Sequence, residues 1–174
     1  MTRLLGIDLG ERRIGLAVGE TDGGAAQPQS TLKRSAEPGR DAAALAQVIA
    51  AHGIDALVVG LPLELSGAEG PQAAITRAWA SAIAEHLEMP VSFRDERLTS
   101  HLAERRLGPM KRGRSGGPPS KTQRDAYRAR VDREAAAIIL QDELDARADS
   151  GPDGADGADG RAANQAASGS ADHG

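Results

Sequence analysis

With 174 residues, no cysteine and a net charge of −4, the chain can bury one core unaided and lacks disulfides, thiol nucleophiles and thiolate metal ligands. No apolar run approaches the roughly 18 residues of a membrane span, and the N-terminus enters a strand pattern without a signal-peptide layout, so a cytoplasmic protein with no membrane partner is expected. From Asp149 onward the acids outnumber the single Arg161 by four, which leaves residues 1–148 neutral.

RLLGIDLG and RIGLAVGE, two apolar runs parted by Glu11 and Arg12, have the layout of a β-hairpin. A third strand is expected within Ala26 to Leu32. In DAAALAQVIAAHG, Asp41 is placed to cap a helix, Leu45, Val48 and Ile49 share a face, and Gly53 supplies the stop. IDALVVGLP then reads as a strand covered on both faces, because its apolar run does not alternate. Pro71 opens a helix to about Glu88, with Ile75, Trp79, Ile83 and Leu87 at steps of four. Pro90 follows it, and VSFRDE makes the last strand.

A short helix from Thr99 or Ser100 to Leu107 leads into GPMKRGRSGGPPSK, too rich in Gly, Pro and cations to pack and expected to be exposed and mobile. Ser120 and Gln123 form a capping-box pattern for a final helix to about Ala146. Beyond it the composition falls to Gly, Ala, Asp and Ser. Residues 1–148 are expected to form one domain, and 149–174 a disordered acidic tail whose aspartates, three apart, do not match the calcium-loop pattern. The order β-β-β-α-β-α-β-α-α implies an α/β fold: a mixed five-stranded sheet, three antiparallel strands then parallel ones, with helices on its faces.

Three carboxylates fall where an ordinary core would not put them. Asp8 interrupts the first strand, Glu96 ends the last one beside Asp95, and Asp132 has Ala135, Ala136 and Ile139 on its own helix face. Each could pair separately with an arginine: Arg12 or Arg13, Arg94 or Arg97, Arg130 or Arg133. If all three converge instead, their repulsion calls for a divalent cation, and hard oxygen ligands suit Mg2+ or Mn2+. Strand alternation sends Asp95 and Glu96 to opposite faces, which favours Glu96 as the ligand.

The stretch Arg97 to Arg133 carries eleven Lys or Arg against three acids. A polyanion partner is the reading favoured over a merely solvated surface, with Arg97, Arg105, Arg106, Lys111, Arg112, Arg114 and Lys121 as the candidate nucleic-acid contacts. A metal site beside such a segment points to phosphodiester hydrolysis. Tyr127 suits either base stacking or helix packing, with packing favoured. His52, His86 and His101 lie near helix ends, where capping or surface roles suffice. Gly6 and Gly10 are read as keeping the strand clear for metal and phosphate.

GIDLGERRIGLAVGE, VVGLPLELSG, DERLTS and VDREAAAIILQ, in this order, resemble the YqgF family of pre-16S ribosomal RNA nucleases, also described as RuvX or Holliday-junction-resolvase-like proteins. The resemblance spans residues 3 to about 146. It implies an RNase H-like fold and a metal-dependent nuclease, whose acidic positions match Asp8, Glu96 and Asp132. It also implies trimming of the 5′ end of the 16S precursor, with junction resolution as the alternative. Branched DNA would suit a symmetric homodimer, for which the sequence shows no interface. The chain departs from the family's usual pattern at Glu64, Ser66 and Arg133, in the loop 108–119 and in its acidic tail.

Two readings from other classes compete. The opening motif also resembles the phosphate-binding start of actin-like ATPases and sugar kinases, but those need two lobes and this chain has residues for one. A nucleic-acid binder that no longer cuts is the other, and the presence of all three acids counts against it. No Walker or dinucleotide-binding glycine pattern occurs.

Overall fold

The computed structural model describes residues 1–151. The tail expected from 149 on therefore lies, from residue 152, outside the described residues. Strands β1 (Arg3–Leu9) and β2 (Arg13–Glu20) form the expected hairpin, in a register that sets Asp8 opposite Gly15. β3 (Gln27–Lys33) pairs antiparallel with β2. After helix α1 (Pro38–His52), β4 (Ala56–Leu61) lies parallel to β1; after α2 (Pro71–Leu87), β5 (Val91–Asp95) lies parallel to β4. The sheet order is β3-β2-β1-β4-β5, the mixed arrangement expected of an RNase H-like fold. α3 (Thr99–Leu107) and α4 (Lys121–Asp149) complete the order, α4 running three residues past its expected end.

The alternation of β1, β2 and β4 sorts the side chains into two cores. On one face Leu5, Ile7, Ile14, Leu16, Leu57 and Val59 meet Leu45 of α1 and Trp79 and Ile83 of α2. On the other, Leu4, Ala17 and Val58 meet Ala136, Ile139, Leu140 and Leu144 of α4. This second interface is close because the hairpin presents glycines to the helix. A Cβ on Gly6 would stand 2.7 Å from both the Ala136 carbonyl oxygen and the Leu140 Cβ, and one on Gly19 would stand 2.9 Å from Leu144 Cδ1. Gly6 therefore admits a helix rather than a metal. Gly10 serves the turn, where its amide donates to the Arg13 carbonyl at 2.8 Å.

The helix boundaries depart from expectation at two residues. Asp41 is not the cap of α1, which follows Glu37 with Pro38 in its first turn. Asp41 is buried instead, accepting from the Ser35 amide at 2.8 Å and from the Trp79 indole N–H at 3.0 Å, a bond that ties α1 to α2. Replacing one partner strands the other in the core, so Asp41→Ala is expected to cost about 1–3 kcal/mol in urea denaturation, whereas Gln47→Ala at an exposed position of the same helix should cost almost nothing. In α2 the expected stripe at steps of four does not include Ile75, which is 48% exposed; the buried face is Ala73, Thr76, Trp79, Ala80 and Ile83. Gly53 ends α1 in the left-handed region (φ 61) and Ser120 forms the capping box with Gln123, both as read from the sequence.

Candidate active site

Asp8, Gly15 and Gly60 share the sheet face that α4 covers, since β1 pairs Asp8 with Gly15 and β4 carries Gly60 on the same parity as Val58. The two glycines decide what reaches Asp8. A Cβ on Gly60 would stand 2.4 Å from a carboxylate oxygen of Glu96, so Glu96 lies across the bare backbone of β4 to meet Asp8. A Cβ on Gly15 would stand 2.0 Å from the Asp132 carbonyl oxygen, so α4 rests on β2 at the turn that carries Asp132. The Glu96 amide donates to the Leu61 carbonyl at 3.1 Å, fixing it at the end of β4. Leu98, in the left-handed region (φ 61), then turns the chain into α3.

Asp8 and Glu96, both partly buried, lie against each other, and a hydrogen bond between them forms only when one is protonated. Burial raises Asp8 to about 6, with the Asp132 charge adding to the rise and the Glu96 hydrogen bond opposing it. Burial, followed by the charge of Asp8 and the bond to it, raises Glu96 to about 9. Two partly buried carboxyls that resist ionising together would be relieved by added positive charge.

Asp132 is drawn in a different direction. Its carboxylate accepts from Arg13 Nε at 2.6 Å. The local-arginine alternative thus applies to one acid of the three, and through Arg13 of the hairpin rather than Arg130 or Arg133. Asp95 pairs with Arg97 at the surface, the Arg97 Nε donating at 2.7 Å, which leaves Glu96 the inward carboxylate of that dipeptide. Arg94 pairs with Glu143 on α4. Burial opposes the ionisation of Glu143, but hydrogen bonds from Arg147 and Arg94 hold its carboxyl below the ordinary value. Among the described residues no three His, Cys, Asp or Glu side chains stand close enough to hold a metal ion together.

Residues 2–146 match the family described as RuvX, Holliday junction resolvase. The chain belongs to the RuvX family. A protein of Chloroflexus aggregans provisionally named a pre-16S rRNA nuclease is 42% identical over 83% of this chain and 94% of its own length. One of Anaeromyxobacter dehalogenans strain 2CP-C, with the same provisional name, is 43% identical over 84% of this chain and 98% of its own. Among solved structures, T. thermophilus RuvC in complex with Holliday junction substrate is 19% identical with a TM-score of 0.49, covering 85% of this chain and 96% of that one.

In this RuvX family member the expected basic contacts fall into two groups. Arg97 donates to Leu65 as well as Asp95, and Arg106 pairs with Glu134 of α4, so both hold the fold together at the surface. Arg105, Lys111, Arg114 and Lys121 are exposed and, among the described residues, have no acidic partner; Arg112 reaches only the Gly116 carbonyl, at 3.5 Å. The loop 108–119 is exposed and closes on itself through the Gly113 amide to Gly117 at 3.1 Å. Tyr127 packs with Ala103, Val131 and Ala135 and donates to the Gly108 carbonyl at 2.8 Å, which is the packing role. No helix among the described residues is long and apolar enough to cross a membrane.

Sequence reasoning missed Gly15, Gly60 and the Arg13–Asp132 pair. Gly60 carried a signal, since a glycine within an apolar parallel strand marks a close approach. Gly15 could have been found by counting back from the hairpin turn to the residue facing Asp8. Nothing in the sequence joins Arg13 to a residue 119 positions away.

Proposed function

We infer that this RuvX nuclease cuts RNA, processing the 5′ end of the 16S ribosomal RNA precursor, with Asp8, Glu96 and Asp132 as its catalytic acids and Mg2+ or Mn2+ as its cofactor. The observation that carries the reading is geometric: bare Gly60 lets Glu96 lie across β4 towards Asp8, and bare Gly15, opposite Asp8, seats the turn of α4 that bears Asp132 on the same sheet face. The choice of RNA rests on the names of the relatives that match over most of their length.

The donor set fits a hard divalent cation: all oxygens, no thiolate, and a pair whose burial and mutual repulsion such a cation would relieve. Asp132 would join them only by leaving Arg13. A bound cation would supply a water of lowered pKa as the nucleophile and stabilise the charge of the leaving oxygen. Asp8 and Glu96, in their ionised forms, would hold the cation with carboxylate oxygens. Arg13 orients Asp132, and the exposed cations of α3 and the following loop contribute phosphate affinity.

The family's own description favours a second reading, resolution of a four-way DNA junction. Incubating the protein with a 5′-extended 16S precursor fragment and with a four-way junction, each with Mg2+, Mn2+ or EDTA, separates the two. Metal-dependent shortening of the RNA is expected. Symmetric cutting of the junction with the RNA left intact would replace the substrate while keeping the site.

A further inference from the structure

Beside Asp132, the turn of the β1–β2 hairpin and α4 enclose an open depression of about 450 Å³, lined by Gly10, Glu11, Arg12, Arg13, Arg128 and Asp132. Three of these six residues are arginines. Arg13 is committed to Asp132. Arg12 and Arg128 are both exposed, and among the described residues neither side chain has a hydrogen-bond or ion-pair partner. Arg128 stands one turn before Asp132 on α4, on the side-chain row that shares a helix face with it. Arg12 is the second residue of the turn, whose shape is fixed from two directions: the Gly10 amide bonds to the Arg13 carbonyl at 2.8 Å, and Arg34 donates to the Gly10 carbonyl at 2.8 Å. A further backbone bond, from the Arg34 amide to the Arg12 carbonyl at 2.9 Å, anchors Arg12 itself.

Two unpartnered guanidiniums held at a braced turn and on a long helix, in a hollow of nucleotide size, are arranged for a phosphate, which such forks bind bidentately. The one carboxylate left uncompensated among the lining residues is Glu11, which opposes an anion there. We propose that Arg12 and Arg128 form a phosphate cradle that grips the nucleic-acid backbone next to the bond to be cut, with the Arg13–Asp132 pair joining the cradle to the catalytic carboxylates. The substrate strand then has a basic foothold on the hairpin turn in addition to the Arg97–Arg133 stretch, to which Arg128 belongs. The proposal rests on the reading of the site as that of a nuclease.

Binding measured by fluorescence anisotropy in EDTA, where no cutting occurs, tests it on the 5′-extended precursor RNA and on a four-way junction across a salt series. The double variant Arg12→Ala/Arg128→Ala is expected to bind about tenfold more weakly at low salt, with a salt slope smaller by about 1, the signature of one lost phosphate contact. Glu11→Gln is expected to bind more tightly than wild type. Both changes lie on exposed side chains, and an unchanged melting temperature verifies that the fold is kept. Wild-type affinity and slope in the double variant would overturn the cradle. If the wild type ignores the RNA but binds the junction with the same arginine dependence, the cradle stands and the RNA assignment falls. If it binds neither probe, both fall.

Discussion

Asp8→Asn is expected to lower metal-dependent cleavage at least about a thousandfold and, in the same protein, to raise the melting temperature of the metal-free form at pH 8 by several degrees. The two effects have one cause. The ordinary carboxyl values of 3.8 and 4.5 become about 6 for Asp8 and about 9 for Glu96 in the folded chain. Groups raised on folding bind more protons folded than unfolded, so the stability they contribute is fully present below the unfolded values and is lost as pH rises through the folded ones. The wild-type protein in EDTA should therefore weaken steadily between about pH 4 and pH 9, and added Mg2+ or Mn2+ should restore it at the upper end by binding the folded state alone. Asparagine removes one of the two competing charges while leaving an amide that can donate to Glu96. Melting curves across pH, with and without metal, check the stability half, and a cleavage assay checks the other. A variant that cuts like wild type, with an unaltered pH profile, would reduce Asp8 and Glu96 to a structural pair.

The second large effect distinguishes two glycines that look alike in the sequence. Gly15→Ala places a methyl 2.0 Å from the Asp132 carbonyl oxygen and 2.3 Å from its carbon. Both are backbone atoms of a long helix, so relief requires α4 to move off the hairpin, and a loss of about 3 kcal/mol or more is expected in urea denaturation. Gly60→Ala meets Glu96 Oε2 and Ile139 Cδ1, each at 2.4 Å. These are the ends of flexible side chains, which can swing aside for about 1–2 kcal/mol. The fold should survive, but Glu96 is pushed from Asp8, and cleavage should drop about a hundredfold. Loss of folding in both variants, or loss of activity in neither, would contradict the placement of Glu96 across β4.

The elements and their order were legible because each carried its own signal: alternation or an apolar run for the strands, Pro71 and Gly53 at helix ends, the Ser120–Gln123 box before α4. The carboxylates were legible because an acid in an apolar run needs a reason. What escaped was pairing across distance. Asp41 looked like a cap because local sequence cannot reveal that Trp79 of another helix donates to it. Gly6 looked like a clearing for phosphate because the helix that packs on it lies 130 residues further along. The arginines near Asp132 in sequence were the natural partners to expect, yet the one that holds it comes from the hairpin, a choice made by register and helix docking together.

Helix α4 brings in the last of the three carboxylates, and its seat on the hairpin is the close glycine-lined contact at Gly6, Gly15 and Gly19. Strands β1 and β2 can close through neighbouring residues, and β4 and β5 add to them in turn as the chain lengthens. Asp132 must wait for a contact spanning most of the domain, the kind that forms late because loop closure precedes its reward. Until then the sheet face that carries Asp8 and Gly60 lacks the cover of α4. With Asp132 as a catalytic acid, as proposed, a chain truncated before α4 is expected to cut no nucleic acid.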